Sequence, residues 1–472
     1  MNFASLKQQK KVHFIGIGGI GMSALAFILR QWNIPVSGSD LSENYLTPKL
    51  RQKGVNYFVG HDAKNIDEEV SLIVQTSIIK SQNPEILEAQ KRGIKIITRA
   101  ELLAIVMTCY KGITIAGTHG KTSTTGMVSL MLEHGNFDPT VINGGVIHYY
   151  ASNSKLGKGE FLVAESDESD ASFVNLPSFI GAITNLEPEH LEFALYGGDF
   201  EKQKACFEKY VAQIPNEGAC ILCIDDKEVA KIYEKLKPAR PHLFSYSAQG
   251  KKADLNIENI ISNSSGISFD AIFDDGLEIH QIKMPIYGAH NASNAAIAII
   301  IGRFLGMPAS EIKEALAKFN GVKRRFTKVG EFEGVAIIDD YGHHPTEIAT
   351  TLQAARDVVG ENHKLISVFE PHKYSRVQSL FNEFCHAFSA CDAVIVTEIY
   401  SASQQPIEGI NQDSLIAGIK KSGVKNVVKL NDFQDLAKIV KPLISSGDMI
   451  FCTGAGKITY LAADLEKQLK NL

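Results

Sequence analysis

Residues 112–125 read Gly112-Ile-Thr-Ile-Ala-Gly117-Thr118-His119-Gly120-Lys121-Thr122-Ser123-Thr-Thr125. A short apolar run enters a glycine turn ending in Gly-Lys-Thr, and an amphipathic stretch, 127–132, follows. Strand, tight turn and helix in that order gather free backbone N–H groups and a helix N-terminus, a nest for phosphate oxygens. In this frame Lys121 reaches the β- and γ-phosphates and the Thr122 hydroxyl binds Mg²⁺. Ile115 stands where the common phosphate loop has its first glycine, so this turn is tighter. A purely structural turn is the plainer alternative. The complete strand, Gly-x-x-Gly-Lys-Thr and helix favours an ATP site.

The rest of the chain sets the scale around that loop. At 472 residues it exceeds what one hydrophobic core supports, so three domains are expected. With 44% hydrophobic and 21% charged residues, it reads as a soluble globular protein. A net charge of -5 argues against a nucleic-acid or membrane-surface role. No apolar run is long enough to span a bilayer and the first residues lack an apolar leader, so a cytoplasmic protein is expected. Seven cysteines, an odd number, suit a reducing compartment. Cys220 and Cys223 have metal-like spacing but lie in an apolar run without a second pair, which reads as core.

Short β-branched runs alternate with helical stretches, the pattern of parallel sheets with crossover helices. Strands are expected near 11–15, 71–75, 94–98, 113–116, 161–164, 179–184, 335–339, 365–369, 393–397 and 449–453. Residues 251–285 alternate more like an antiparallel ribbon. The resulting fold class is α/β with domains at 1–108, 109–322 and 323–472.

Val12-His-Phe-Ile-Gly16-Ile-Gly18-Gly-Ile-Gly21 is a strand followed by G-x-G-x-x-G, and Asp40 closes a second strand-like segment. That spacing fits a Rossmann turn with a carboxylate on a ribose hydroxyl. A nicotinamide dehydrogenase would carry it, but hydride transfer needs no ATP loop a hundred residues on. A UDP-linked substrate satisfies it equally well, and a purely structural use of the glycines stays open.

Three further turns carry polar chemistry. In Glu165-Ser-Asp167-Glu168-Ser-Asp170, Glu165 lies nearest the strand and is the metal candidate, the others reading as a solvated acidic turn. Asn185-Leu-Glu-Pro-Glu189-His190 follows another strand, and His190 is a metal or phosphate contact or a structural histidine. His290-Asn291-Ala-Ser-Asn294 opens an Ala/Ile-rich helix as caps or adenine contacts. In the last segment, Asp339-Asp340-Tyr341-Gly-His343-His344-Pro345 and His372-Lys373-Tyr-Ser-Arg376 each follow an apolar strand, where open α/β sheets bind ligands. Thr453-Gly-Ala-Gly-Lys457 reads as a plain strand-to-helix turn.

Together these motifs resemble the Mur ligase family over essentially the whole chain. The most specific are Gly-Thr-His-Gly-Lys-Thr at 117–122, Glu165–Phe173, Gly-Val-Lys-Arg-Arg-Phe at 321–326 and Asp-Asp-Tyr-Gly-His-His-Pro at 339–345. The last resembles the branch that adds L-alanine to UDP-N-acetylmuramate, and also a branch that adds a preformed tripeptide. The resemblance implies a Rossmann-like UDP-binding domain, a central P-loop-type ATPase with a mostly parallel sheet and a β ribbon, and a Rossmann-like amino-acid domain. It implies ATP and Mg²⁺ as cofactors and a monomer or weak homodimer.

Residue by residue, it implies Gly117 to Ser123 with Lys121 on ATP, and Thr122, Glu165 and His190 on the metal. His290, Asn291, Asn294 and Arg325 join the nucleotide. Gly16, Gly18, Gly21 and Asp40 fall to the UDP moiety. Tyr341, His343, His372, Lys373 and Arg376 fall to the amino acid, with His343 and Arg376 also read as catalytic. Glu189 stands where the family commonly has Asp, Lys373 where it has Arg, and Lys457 where it has an acidic or amide residue.

Overall fold

A computed structural model describes every residue except Ser77, Asp170, His190 and residues 192–195. Strands joined by crossover helices are covered on both faces, which the continuous Val/Ile/Leu runs permit. Three sheets form among the described residues.

The first is wholly parallel. It comprises β1 (Lys11–Ile15), β2 (Val36–Asp40), β3 (Asn56–Val59), β4 (Val70–Gln75) and β5 (Lys95–Thr98), in the order β3-β2-β1-β4-β5. The order reverses at β1, so the crevice beyond its carboxyl end is the expected ligand position. There the glycine turn leads into α1 (Ile20–Gln31), while α2 (Arg99–Met107) starts behind a Thr98–Glu101 capping box.

The second sheet holds β6 (Lys111–Ala116), β7 (Thr140–Ile147), β8 (Ser152–Lys155), β9 (Phe161–Glu165), β10 (Ser178–Ile183), β11 (Ala219–Cys223), β12 (Leu243–Ser247), β13 (Leu255–Asn263), β14 (Gly266–Phe273) and β15 (Glu278–Met284). Its order is β15-β14-β13-β12-β11-β10-β6-β9-β7-β8. β6 lies between β9 and β10, parallel to both, and feeds α3 (Lys121–His134). Cys220 and Cys223 are buried and unpaired on β11, as core residues. The ribbon expected at 251–285 is β13–β15; only residues 264 and 265 join β13 to β14, too few to cross over. α4 (His290–Phe304) follows. The antiparallel pair β7–β8 has no clear sequence signal, because β7 contains Gly144-Gly145 and β8 is Ser-Asn-Ser-Lys.

The third sheet has β16 (Thr327–Phe332), β17 (Val335–Asp340), β18 (Leu365–Phe369), β19 (Ala393–Val396), β20 (Asn426–Lys429) and β21 (Met449–Thr453), ordered β16-β17-β21-β18-β19-β20. Only the edge strand β16 runs antiparallel. Successive residues of β21 serve opposite core layers: Met449 and Phe451 pack with Leu352 and Phe369, Ile450 and Cys452 with Leu461 and Leu465. α5 (Pro345–Val359), α6 (Tyr374–Ser379) and α7 (Ile458–Lys470) follow β17, β18 and β21.

The chain packs as two units. One is Met1–Glu258 with Ala271–Ile279 and Asn294–Lys318; the other is Asn259–Asp270 with His280–Ser293 and Phe319–Leu472. Within the first unit α1 lies against β7 and β8, where the buried Asn153 amide donates to Ile20 O at 2.7 Å. No helix among the described residues is long and apolar enough to cross a membrane.

Candidate active site

The loop after β6 turns by way of Gly117, at φ +126°, and Gly120, at φ +82°, torsions that side chains with a Cβ rarely adopt. A Cβ on Gly117 would stand 2.1 Å from Thr184 Oγ1, and one on Gly120 2.6 Å from Asn294 Oδ1. The chain after β10 holds the loop: His119 N–H donates to Asn185 Oδ1 at 2.8 Å, Thr184 Oγ1 donates to His119 O at 2.6 Å, and Glu187 N–H donates to Thr118 Oγ1 at 2.9 Å. Asn185 is a loop-positioning residue that sequence reading passed over, although its place just beyond a parallel strand signalled it.

Lys121 opens α3 and its ammonium group is fully engaged. Nζ donates to Gly117 O at 2.6 Å and Thr118 O at 2.9 Å, and pairs with Glu168 Oε2 at 2.8 Å. Burial works against its charge, but the carboxylates of Glu168 and Glu165 outweigh that and raise its pKa. Glu168 corrects the expectation of a solvated acidic turn. Its side chain is only 2% exposed, and burial pushes its carboxyl up to about 7 despite the pull of Lys121.

Glu165 ends β9 beside β6, so the strand pairing sets it against the start of α3. Thr122 Oγ1 donates to Glu165 Oε2 at 2.9 Å, and Gly144 N–H reaches the same oxygen at 3.0 Å. A Cβ on Gly144 would lie 2.0 Å from that oxygen, so the glycine of β7 is what admits the carboxylate. A hydroxyl and a carboxylate oxygen facing each other beside the loop suit a hard divalent cation. Ser123, half-buried, sits in the same helical turn, and Asn294 lies against Gly120. His190, the other expected metal ligand, lies outside the described residues.

At the first sheet, Gly16 takes φ +86° and Gly18 N–H donates to Asp40 Oδ2 at 2.8 Å. Asp40 Oδ1 accepts from Leu41 N–H, so this carboxylate clamps the glycine turn itself. A Cβ on Gly21 would meet Arg99 Cδ at 3.2 Å, and Arg99 pairs with Asp167 at 3.1 Å. Arg99 was invisible to motif reading because it belongs to α2, far along the chain.

The remaining expected residues lie in the second unit. Asp340 accepts from Gly342 N–H at 2.7 Å and Phe326 N–H at 2.8 Å, tying the turn after β17 to the basic turn before β16. Burial pushes its carboxyl up to about 6 against the pull of Arg325. The guanidinium carbons of Arg324 and Arg325 lie 4.8 and 5.1 Å from the Tyr341 ring centre. His343 meets the Tyr341 ring at 5.1 Å and the His372 ring at 5.8 Å, both edge-on. Arg376 Nη1 comes within 3.4 Å of His372 Nδ1. Tyr341, His343, His372 and Arg376 are thus brought together beyond β17 and β18.

Burial, then His343, Arg376 and Lys373, press the His372 pKa down to about 3, leaving a neutral ring at physiological pH. Lys373 caps α6 at φ +68°, a strained torsion for a lysine. His290 lies near Arg325 and Glu347, and burial with the Arg325 charge lowers its pKa to about 4. Asn291 Nδ2 donates to Tyr287 O at 2.7 Å and so helps seat the start of α4.

Known proteins resemble this chain in sequence and fold. Residues 11–111 match the Mur ligase family catalytic domain, 115–302 the Mur ligase middle domain, and 324–456 the Mur ligase glutamate ligase domain. A UDP-N-acetylmuramate–L-alanine ligase of Bradyrhizobium diazoefficiens is 44% identical over 466 residues, 98% of each chain. The structure of a UDP-N-acetylmuramate-alanine ligase from Thermotoga maritima superposes with a TM-score of 0.84 at 28% identity, covering 98% of this chain and 99% of that one. A murein peptide ligase from Psychrobacter arcticus shares the fold, with a TM-score of 0.72, 23% identity and the same coverage. With three sheets in the expected order and near full-length relatives, this chain belongs to the Mur ligase family.

Proposed function

We propose that this protein is an ATP-dependent ligase that joins L-alanine to the lactyl carboxylate of UDP-N-acetylmuramate, forming an amide with release of ADP and phosphate. The observation that carries the reading is the grouping of Lys121, Thr122 and Glu165 at the start of α3, in a chain alike over 98% of its length to an L-alanine ligase. Our domain limits are 1–108 for the UDP moiety, 109–322 for ATP and 323–472 for the amino acid. We place the protein in the cytoplasm as a monomer or weak homodimer, binding neither nucleic acid nor membrane.

A carboxylate is a poor acyl donor because its leaving group would be oxide. Transfer of the ATP γ-phosphoryl to that carboxylate makes an acyl phosphate, the alanine amine attacks its carbonyl carbon, and phosphate departs with the carboxylate oxygen. Both reactants of the first step are anionic, so Lys121 neutralises charge on the transferred phosphoryl group. Thr122 and Glu165 would hold Mg²⁺, whose chemistry when bound is to screen the same phosphates, with His190 as a further ligand. Gly16, Gly18 and Gly21 would admit the diphosphate of the UDP substrate, and His290, Asn291, Asn294 and Arg325 the nucleotide. Lys373 and Arg376 would hold the alanine carboxylate, and His343 with the neutral ring of His372 would orient its amine.

The dehydrogenase reading of the N-terminal glycines is not favoured, since the near full-length relatives are ligases. The tripeptide-adding reading shares every group named here except those that face the acceptor. Purified protein with Mg²⁺, ATP and UDP-N-acetylmuramate should release phosphate only when L-alanine is added, with a product of UDP-muramoyl-alanine mass. Release with tripeptide but not alanine would move the protein to the other branch, and silence with both would overturn the ligase reading.

A further inference from the structure

The segment after β19 lies along the start of α6 in a way the proposed chemistry has not used. Tyr400 N–H donates to Pro371 O at 2.8 Å, and Tyr400 O accepts from Lys373 N–H at 2.9 Å. The two hydrogen bonds make a parallel bridge between His372 and Tyr400. Four residues on, Gln404 grips Ser375: its Oε1 accepts from Ser375 N–H at 3.1 Å and its Nε2 donates to Ser375 Oγ at 2.8 Å. Residues 400–404 are therefore stitched to 371–375 on both sides of the strained Lys373.

The Tyr400 ring completes the arrangement. It stacks on the His372 imidazole with ring centres 5.4 Å apart and planes 9° from parallel. A Cβ on Gly456 would lie 2.9 Å from the same ring, so it is packed between His372 and glycine backbone. With 37% of its surface exposed, Tyr400 adds little to the hydrophobic core, and its hydroxyl makes no hydrogen bond among the described residues. His372 is thereby held on its face by Tyr400 and at its edge by Arg376 and His343. A histidine held from three directions keeps one orientation, which is what preorganises a binding group.

We infer that Tyr400 is a positioning residue for the amino-acid substrate, fixing the His372 ring and the Lys373 backbone so that the amino acid meets a preformed grip. This rests on the reading that residues 341–376 bind the amino acid. Tyr400→Ala removes the stack, and Tyr400→Leu keeps apolar bulk without an aromatic face. Tyr400→Phe keeps the stack and drops only the unused hydroxyl.

Steady-state kinetics with each substrate varied in turn, on protein of checked thermal stability, tests the idea. The Ala and Leu variants should raise the KM for alanine about tenfold, with kcat and the KM values for ATP and UDP-N-acetylmuramate near wild type, and Phe should restore wild-type values. An alanine KM within twofold of wild type in both Ala and Leu variants, or an equal rise in all three KM values, would overturn the inference. Arg376→Ala separates the two levels. If it raises the alanine KM while Tyr400→Leu does not, only the role of Tyr400 falls; if neither moves it, the amino-acid reading of this cluster falls as well.

Discussion

Lys121 has three ammonium donors and three acceptors around it, and that balance decides what its loss should do. Lys121→Ala removes the charge aimed at the phosphates and leaves Glu168 buried without its partner. A carboxyl already pushed up to about 7 takes a proton easily, so the fold should survive. Turnover should fall on the order of 10³-fold or more, with unchanged circular dichroism and melting temperature. Near-normal turnover in a folded variant would dismiss the phosphate-loop assignment. Lys373 presents a different case, a point charge on a strained helix cap. Arginine offers a planar fork to a carboxylate, so Lys373→Arg should lower the KM for alanine several-fold at constant kcat. An unchanged or higher KM would show that Lys373 does not hold the alanine carboxylate.

At the scale of elements, helix starts carry the architecture. Glu370, directly after β18 and 2% exposed, accepts from Lys457 N–H at 2.9 Å and Ile458 N–H at 2.6 Å, the first donors of α7. Burial raises its carboxyl pKa against the pull of those donors and of Arg324. Glu370→Ala orphans both N–H groups in a closed site, and should cost about 2–4 kcal/mol. Glu370→Gln, which keeps one acceptor oxygen, should cost about half as much. Native-state hydrogen exchange of β18 and β21 amides reads this directly, and unchanged protection in the alanine variant would refute the cap. The ten expected strands all exist, each within a few residues of its expected limits, because each is a β-branched run bounded by a turn. β7 and β8 escaped because a glycine pair and polar residues carry no period; the neighbouring Glu165 and α1 explain those residues instead.

For the molecule as a whole, acid is the informative variable. His290 and His372 have folded pKa values of about 4 and about 3, below the ordinary 6.5, chiefly because burial disfavours their charged forms. An unfolded chain therefore binds their protons first as pH falls. Their contribution to stability is full above about 6.5 and is lost as pH falls through the folded values. Asp340, raised to about 6, acts in the opposite sense, its contribution being lost as pH rises. The test is accordingly a difference: between pH 7 and 4.5, wild type should lose about 2 kcal/mol more than His290→Gln. Equal losses, measured by denaturant unfolding at each pH, would show that His290 is not held neutral.

By itself the sequence determined the ten expected strands, the two glycine turns, the three-part α/β organisation and the Lys-Thr pair at a helix start. Those features rest on neighbours within a few residues: torsions only glycine tolerates, apolar runs, and a helix N-terminus that follows its own turn. Only the tertiary structure decided that Glu168 is buried on Lys121, that Asn185 holds the phosphate loop, that Asp40 clamps its glycine turn, and that Tyr400 stacks on His372. Each of these pairs residues 22 to 66 positions apart, brought together by strand order. Charge and aromaticity look the same in a sequence whether solvent or a partner surrounds them; parallel pairing of distant strands is what chooses the surroundings.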